Sequence, residues 1–359
     1  MWPIAKAPPG QRFVKHRWRL RALARALVPA LMLTTTFAGA AIAGEVSPQP
    51  SPPVADISPT IETLDPSRGP GLYPLFASAD LRVGSATARQ ALVIIHGRLR
   101  NASDYYATGL AIANAAGAAG EATVVAAPQF LIQADATLHQ LPDRYLRWSR
   151  GWEAGAPALL PASAQSNDPP ASSYDVLDDV VAKLSNASAF PALKRIVFVG
   201  HGGGAQMLAR YAVVMHPQPG PPVGFVIANA GTYLYPITAR PAPLDCPDFN
   251  LWKYGLDQPP PYVGDSGKIL KDFAARDVTL LLGANDRKAT GILDQSCAAR
   301  TQGRNRLERG LNFAQEMTMS GAAPLLKYLI VPDIGHNEKG MLLSREATAV
   351  IFATGNGAH

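Results

Sequence analysis

Four short stretches of the sequence end in residues that can move protons or stabilise charge. Val197-Phe198-Val199 runs into Gly200-His201-Gly202-Gly203-Gly204, a glycine turn from which a helical pattern departs. Backbone N–H groups at a helix start carry the positive end of its dipole, which favours a developing oxyanion. Ile94-Ile95 runs into His96-Gly97, Leu281-Leu282-Gly283 into Ala284-Asn285-Asp286, and Val331-Pro332 into Asp333-Ile334-Gly335-His336. An aspartate and a histidine at such turns are the groups a general base and its orienting acid require. The glycine turn itself offers no side-chain oxygen, because position 202 is glycine.

Such turns need strands to hold them. From about Gly71 onward, short apolar runs alternate with helical patterns, as in βαβ units on a parallel sheet. Residues 91–95 are wholly apolar, as a strand covered on both faces should be. The pattern predicts a helix over 104–117, a strand over 123–127 and an amphipathic helix over 174–187, with Val176, Leu177, Val180, Val181 and Leu184 on one stripe. It continues with a strand over 195–200, a helix over 205–216, strands over 223–228, 278–283 and 326–331, and a closing helix over 340–353. Residues 233–265 hold Pro, Tyr and Trp without clear periodicity and are expected to form a lid or cap. The expected fold class is α/β, with a mainly parallel central sheet and helices on both faces.

In this chain order the four motifs resemble those of the α/β-hydrolase superfamily, over about Gly71 to the C-terminus. The resemblance implies that residues 200–204 form the nucleophile elbow, normally G-x-S-x-G, with Gly202 at the nucleophile position. It implies an oxyanion hole from the N–H groups of Gly203 and Arg98, with His336 as base and Asp286 as the acid that orients it. Loss of an elbow serine alone removes about 10⁶ of the rate, while binding and oxyanion groups leave about 10³ over water. The expected function is therefore an ester or acyl hydrolase by ancestry, with at most weak hydrolysis by a water that His336 and Asp286 activate. The alternative is a non-catalytic protein that keeps the pocket for a small acyl or ester ligand; a protein-interaction scaffold is a third reading.

Other residues compete for these roles. His201 serves either as a pocket wall or as a catalytic group, and Ser149 and Thr232 are hydroxyls without elbow context. Asp294 is a second candidate acid, and Asp286 with His336 can equally be a structural pair. His96 is expected to pack beneath the oxyanion turn, and His139 and His216 to lie at a loop or helix end. Trp148, Trp152, Tyr233, Tyr235, Trp252 and Tyr254 either line an apolar pocket or form the lid's own small core. No His, Cys, Asp or Glu cluster has zinc spacing and no glycine loop has a phosphate-binding or dinucleotide fingerprint, so neither metal nor cofactor is expected.

Composition limits the partners. The 359 residues carry 33 Lys+Arg and 27 Asp+Glu. Seven of the basic residues, and no acidic one, fall in residues 1–43, leaving 26 against 27 in the remainder. The basicity belongs to a leader, so no nucleic-acid partner is expected. That leader has a basic start, an apolar run over 26–43 and an Ala41-Ile42-Ala43 cleavage pattern. Residues 1–43 thus read as a signal peptide, cleaved on export to periplasm or medium, with an uncleaved anchor as the alternative. Membrane contact is expected only through this leader. Residues 44–70, rich in Pro and Ser, read as a linker, and 71–359 as the hydrolase-like domain. Cys246 and Cys297 are the only cysteines, and in an oxidising compartment they are expected to form one disulfide.

Overall fold

The computed structural model describes residues 52–160, 170–242, 245–264, 266–289 and 292–353. The signal-peptide expectation and the first part of the linker lie outside them. Eight strands form the main sheet: β1 (Ile61–Thr63), β2 (Leu72–Ala77), β3 (Gln90–Ile95), β4 (Thr123–Pro128), β5 (Arg195–His201), β6 (Val223–Ala228), β7 (Asp277–Gly283) and β8 (Lys327–Val331). Their order is β1-β2-β4-β3-β5-β6-β7-β8. β1 and β2 are antiparallel to their neighbours, and the other pairings are parallel. The register levels the strand ends that matter. Ile95 lies opposite Gly200, His201 opposite Ala228, Ala228 opposite Leu281, and Val331 opposite Gly283.

Helices pack on both faces. α1 (Ala102–Ala115), α5 (Glu338–Leu342) and α6 (Arg345–Ile351) cover the face carrying Leu92, Ile94, Val197, Val199 and Val226. α2 (Ser173–Leu184), α3 (Gly203–Val214) and α4 (Arg306–Met319) cover the opposite face, with Val93, Ile95, Phe198, Phe225 and Leu282. Alternating residues of each strand enter opposite cores, so the strands must be apolar throughout. The single closing helix expected over 340–353 is two helices. They break at Leu343, and Ser344 caps the second by accepting from the Ala347 N–H.

The linker expected over 44–70 is corrected from Pro52 onward. Val54, Ser58 and Leu64 are buried, and β1 pairs with β2. Arg100 is the reason. Its buried guanidinium forms a bidentate pair with Asp135 (Nε–Oδ2 2.8 Å, Nη2–Oδ1 2.9 Å) and donates to Pro52 O (2.7 Å). Asp135 Oδ1 also accepts from the Val54 N–H at 2.9 Å. Proline-rich chain lacks donors but keeps its carbonyls, so side chains can tie it down where a ladder cannot.

The insertion differs from a simple lid. Tyr233, Leu234 and Tyr235 belong to the main core. Beyond them the segment packs against the turn at Trp152 and the side of α3. Trp252 Nε1 donates to Ala154 O (2.8 Å), and Arg210 Nε donates to Lys253 O (3.2 Å). Cys246 and Cys297 are joined in a disulfide, which fastens the segment to the chain beyond β7.

Candidate active site

Gly202 stands between β5 and α3 with φ +58° and ψ −108°, a region that L side chains enter only with strain. Its flanking glycines are required by contact. A Cβ on Gly200 would lie 2.6 Å from Gly204 C, one on Gly203 2.9 Å from Arg98 N, and one on Gly204 2.2 Å from Ile95 O. Gly202 is different. A Cβ there would meet only His336, at 3.3 Å from Nε2 and 3.4 Å from Cε1. A hydroxyl on that carbon would fall within hydrogen-bond reach of Nε2.

His336 Nδ1 lies 2.9 Å from Asp286 Oδ2. A carboxylate only accepts, so Nδ1 carries a proton, and Nε2 is the ring nitrogen that faces Gly202. The Asp286 side chain is 2% exposed and that of His336 27%, so the acid is enclosed while the base is reachable. Asp286 also faces Arg306 (Nη1–Oδ1 3.5 Å) at the first turn of α4, and its carbonyl accepts from the Leu307 N–H. Burial lowers the Arg306 pKa, and Asp286 opposes that shift. His201 packs on His336 with ring centroids 4.6 Å apart. Burial, and then the neighbouring His336, hold the His201 imidazole well below its usual pKa, so it stays neutral beside the base. Asn229 spans the floor of the site, accepting from the Gly283 N–H (2.8 Å) and donating to Gly335 O (3.1 Å).

The turn after β3 completes the arrangement. Gly203 and Arg98 approach closely, and neither N–H has an acceptor among the described residues. His96 Nε2 accepts from the Phe130 N–H at 3.0 Å, which leaves Nδ1 to donate to Gly97 O at 2.9 Å. That bond fixes the carbonyl of the Gly97–Arg98 peptide and so turns the Arg98 N–H the other way. Burial pushes the His96 pKa down to about 4, as expected of a packed neutral imidazole. A cavity of about 290 Å³ opens beside this set, lined by Asn285, Asp286, Lys288, Arg306, Gly335 and His336.

The structure brings together His336, Asp286, Gly202, Gly203 and Arg98. His201 stays beside them as a neutral wall against His336, and the other competitors are separated from them. Asp294 accepts from Tyr254 (2.6 Å) and faces Lys253 instead. Thr232 is buried between Arg210 and Gln206, and Ser149 is exposed on the surface. His139 bonds Val54 O, and His216 stacks on Tyr262. Trp148, Trp152, Tyr233 and Tyr235 are buried, with Trp152 stacked on Phe130 and 4.7 Å from His96. They are core, with Trp252 packed against them, and none of the six aromatics lines the cavity beside His336. Sequence reasoning missed Arg306, Asn229 and Asp135. No local pattern marks them, because each acts on a partner far away in the chain.

No protein-family model matches the sequence, and no curated protein sequence matches it. Solved structures do. Poly(aspartic acid) hydrolase-1 from Sphingomonas sp. KT-1 superposes with a TM-score of 0.57 at 20% identity, over 82% of this chain and 100% of that one. LpqC, a poly(3-hydroxybutyrate) depolymerase from Bordetella parapertussis, gives 0.57 at 22% identity, over 83% and 90%. The chain has the α/β-hydrolase fold.

Proposed function

We propose that this chain is an exported α/β-hydrolase-fold protein, by ancestry an ester or acyl hydrolase, whose nucleophile position is disarmed by Gly202. The observation that carries this reading is the direction of the one open contact in the elbow: a Cβ on residue 202 would point at His336 Nε2 from 3.3 Å. Base, acid and oxyanion donors thus converge on a position with no oxygen of its own. Any hydrolysis would be direct. Water attacks the acyl carbonyl and gives its proton to His336 Nε2, Asp286 holds Nδ1–H, and the Gly203 and Arg98 N–H groups take the oxyanion. The proton then passes to the leaving oxygen, giving acid and alcohol. The hydrolase and depolymerase names of the structural relatives support the acyl-transfer class. The apolar leader and the disulfide support export.

A second reading is a receptor for a small acyl ligand, which would lie in the cavity of about 290 Å³ beside His336. One assay separates the two. Short-chain nitrophenyl esters are offered to wild type, Gly202→Ser and His336→Ala. Wild-type turnover lost in His336→Ala supports water-mediated hydrolysis. A silent wild type, with turnover gained in Gly202→Ser, supports an intact but disarmed site. A folded Gly202→Ser that stays inactive, beside an inactive wild type, rejects the hydrolase ancestry of this site.

A further inference from the structure

Among the described residues five arginines are buried, and four of them are held by the protein's own acceptors. Arg100 donates to Asp135, Pro52 O and Arg98 O, and Arg147 to Gln133 and Asp143. Arg210 donates to Lys253 O, Gln206 O and Thr232, and Arg309 to Gly303 O, Gly231 O and Asp294 O. Arg306 is the exception. Its side chain is 5% exposed, yet its guanidinium has one acceptor among the described residues, Asp286 Oδ1 at a loose 3.5 Å from Nη1. Its Nε is sealed without a partner. Buried donors are almost always paired, so a guanidinium this open calls for an acceptor from outside the chain. Its place in the helix adds to the cost. Arg306 is the first residue of α4, which Asn305 caps by accepting from the Glu308 N–H at 2.9 Å. The positive end of a helix dipole disfavours a cation and favours an anion. Glu308, the carboxylate of that same turn, pairs with Arg304 at 3.0 Å instead.

Arg306 lines the cavity of about 290 Å³ beside His336, and Lys288 lines it too. Lys288 is exposed and makes no ion pair among the described residues. Against these two cations the wall has one carboxylate, Asp286, which His336 and Arg306 already share. One positive charge is left in excess. We propose that this cavity takes a carboxylate carried by the acyl compound that the site binds, with Arg306 and Lys288 as the groups that recognise it. The proposal deepens the acyl-hydrolase reading and rests on it for the placing of the ester at Gly202. The ligand class is the half-ester of a small dicarboxylic acid. Its ester carbonyl meets the Gly203 and Arg98 N–H groups, and its free carboxylate meets Arg306. Only His336 and Asp286 stand between Gly202 and Arg306, so a short carbon chain spans the two ends. A planar guanidinium offers parallel donors that match a carboxylate. One charge in excess suits a monoanion, whereas a phosphate dianion would set an unbalanced second charge beside Asp286. Lys288 adds attraction from the rim, which salt weakens.

The test is calorimetric titration of the purified full chain with monomethyl glutarate and with dimethyl glutarate, at neutral pH and low salt. Wild type should bind the half-ester at least about tenfold more tightly than the diester. Arg306→Gln should abolish that preference and Arg306→Lys should keep part of it. Arg304→Gln, at a side chain 89% exposed and outside the cavity, should leave it unchanged. Lys288→Gln, an exposed change that does not touch the core, should lower it about twofold to fivefold. Inorganic phosphate should not displace the half-ester. Failure to bind the half-ester, or equal binding of both esters by wild type, overturns the proposal, and so does displacement by phosphate. A preference that survives unchanged in Lys288→Gln and in a folded Arg306→Gln overturns it too. If Arg306 only braces Asp286, its loss weakens both esters alike, which is a further way to overturn it. Turnover of nitrophenyl butanoate by Gly202→Ser tests the acyl reading separately. Turnover there, beside a wild type without the preference, rejects the carboxylate site alone. The preference, beside an inactive folded Gly202→Ser, keeps the carboxylate site and rejects the hydrolase ancestry.

Discussion

The turn after β3 and the turn after β5 face each other across the site and are held in opposite ways. The first depends on buried polar side chains. His96 bonds Gly97 O, Arg100 Nη1 bonds Arg98 O, and Gln129 Nε2 bonds Arg100 O. The second depends on the lack of side chains, since Gly200, Gly203 and Gly204 each sit where a Cβ would press on backbone. Gly202 alone has room, and the room faces His336. The contrast teaches that the framework of the site does not depend on a side chain at position 202. The groups that shape the site are backbone amides and buried anchors, none of which needs an oxygen at position 202.

The largest expected effect is at the anchor of the first turn. Asp135→Ala strands the Arg100 guanidinium in the interior and frees the segment from Pro52 to Ser58. Urea unfolding should show a loss of about 3–5 kcal/mol. A loss under about 1 kcal/mol would mean that the buried pair does not hold this turn. The second turn should fail by crowding instead. Gly204→Ala puts a methyl 2.2 Å from Ile95 O, so backbone must move, at a cost of about 3 kcal/mol in the same measurement. A near-neutral Gly204→Ala would show the turn to be far more pliant than its contacts imply.

A smaller effect comes with acid. His96 titrates near pH 4 when folded and near 6.5 when unfolded. Between those values the unfolded chain binds the extra proton, so stability is full above pH 6.5 and falls as the pH drops toward 4. From pH 7 to pH 5 this one group removes about 2 kcal/mol, and buried His201 acts in the same direction. Urea midpoints taken across that range should fall less steeply in His96→Gln than in wild type. Equal slopes would remove His96 as the acid-sensitive anchor.

Much of this architecture is legible from the chain. The central strands are unbroken apolar runs because both faces are covered, and each functional turn follows such a run directly. β1 and β2 are harder to read, because one is only three residues long and the other contains Pro74. β1 is the edge strand, where a short length is tolerated, while β2 lies between β1 and β4. The buried state of residues 52–64 depends on Arg100 and Asp135, whose sequence neighbourhoods carry no sign of the pairing. The aromatic cluster looked equally suited to a pocket or a core. Only the stacking of Trp152 on Phe130 and its contact with His96 decide for the core.

The sequence by itself determines the atoms available: an imidazole at 336, a carboxylate at 286, glycine N–H groups at a helix start and no oxygen at 202. It also orders them along the chain. Tertiary structure decides that they meet, because strand register sets which loop ends share a level and no residue states its register alone. It decides too that Asp286, and not Asp294, reaches His336, and that Arg306 and Asn229 stand beside them. Chemistry resides in side-chain identity, which is local. Proximity is a property of the whole packed sheet, and it gives Gly202 its one open contact, toward the base.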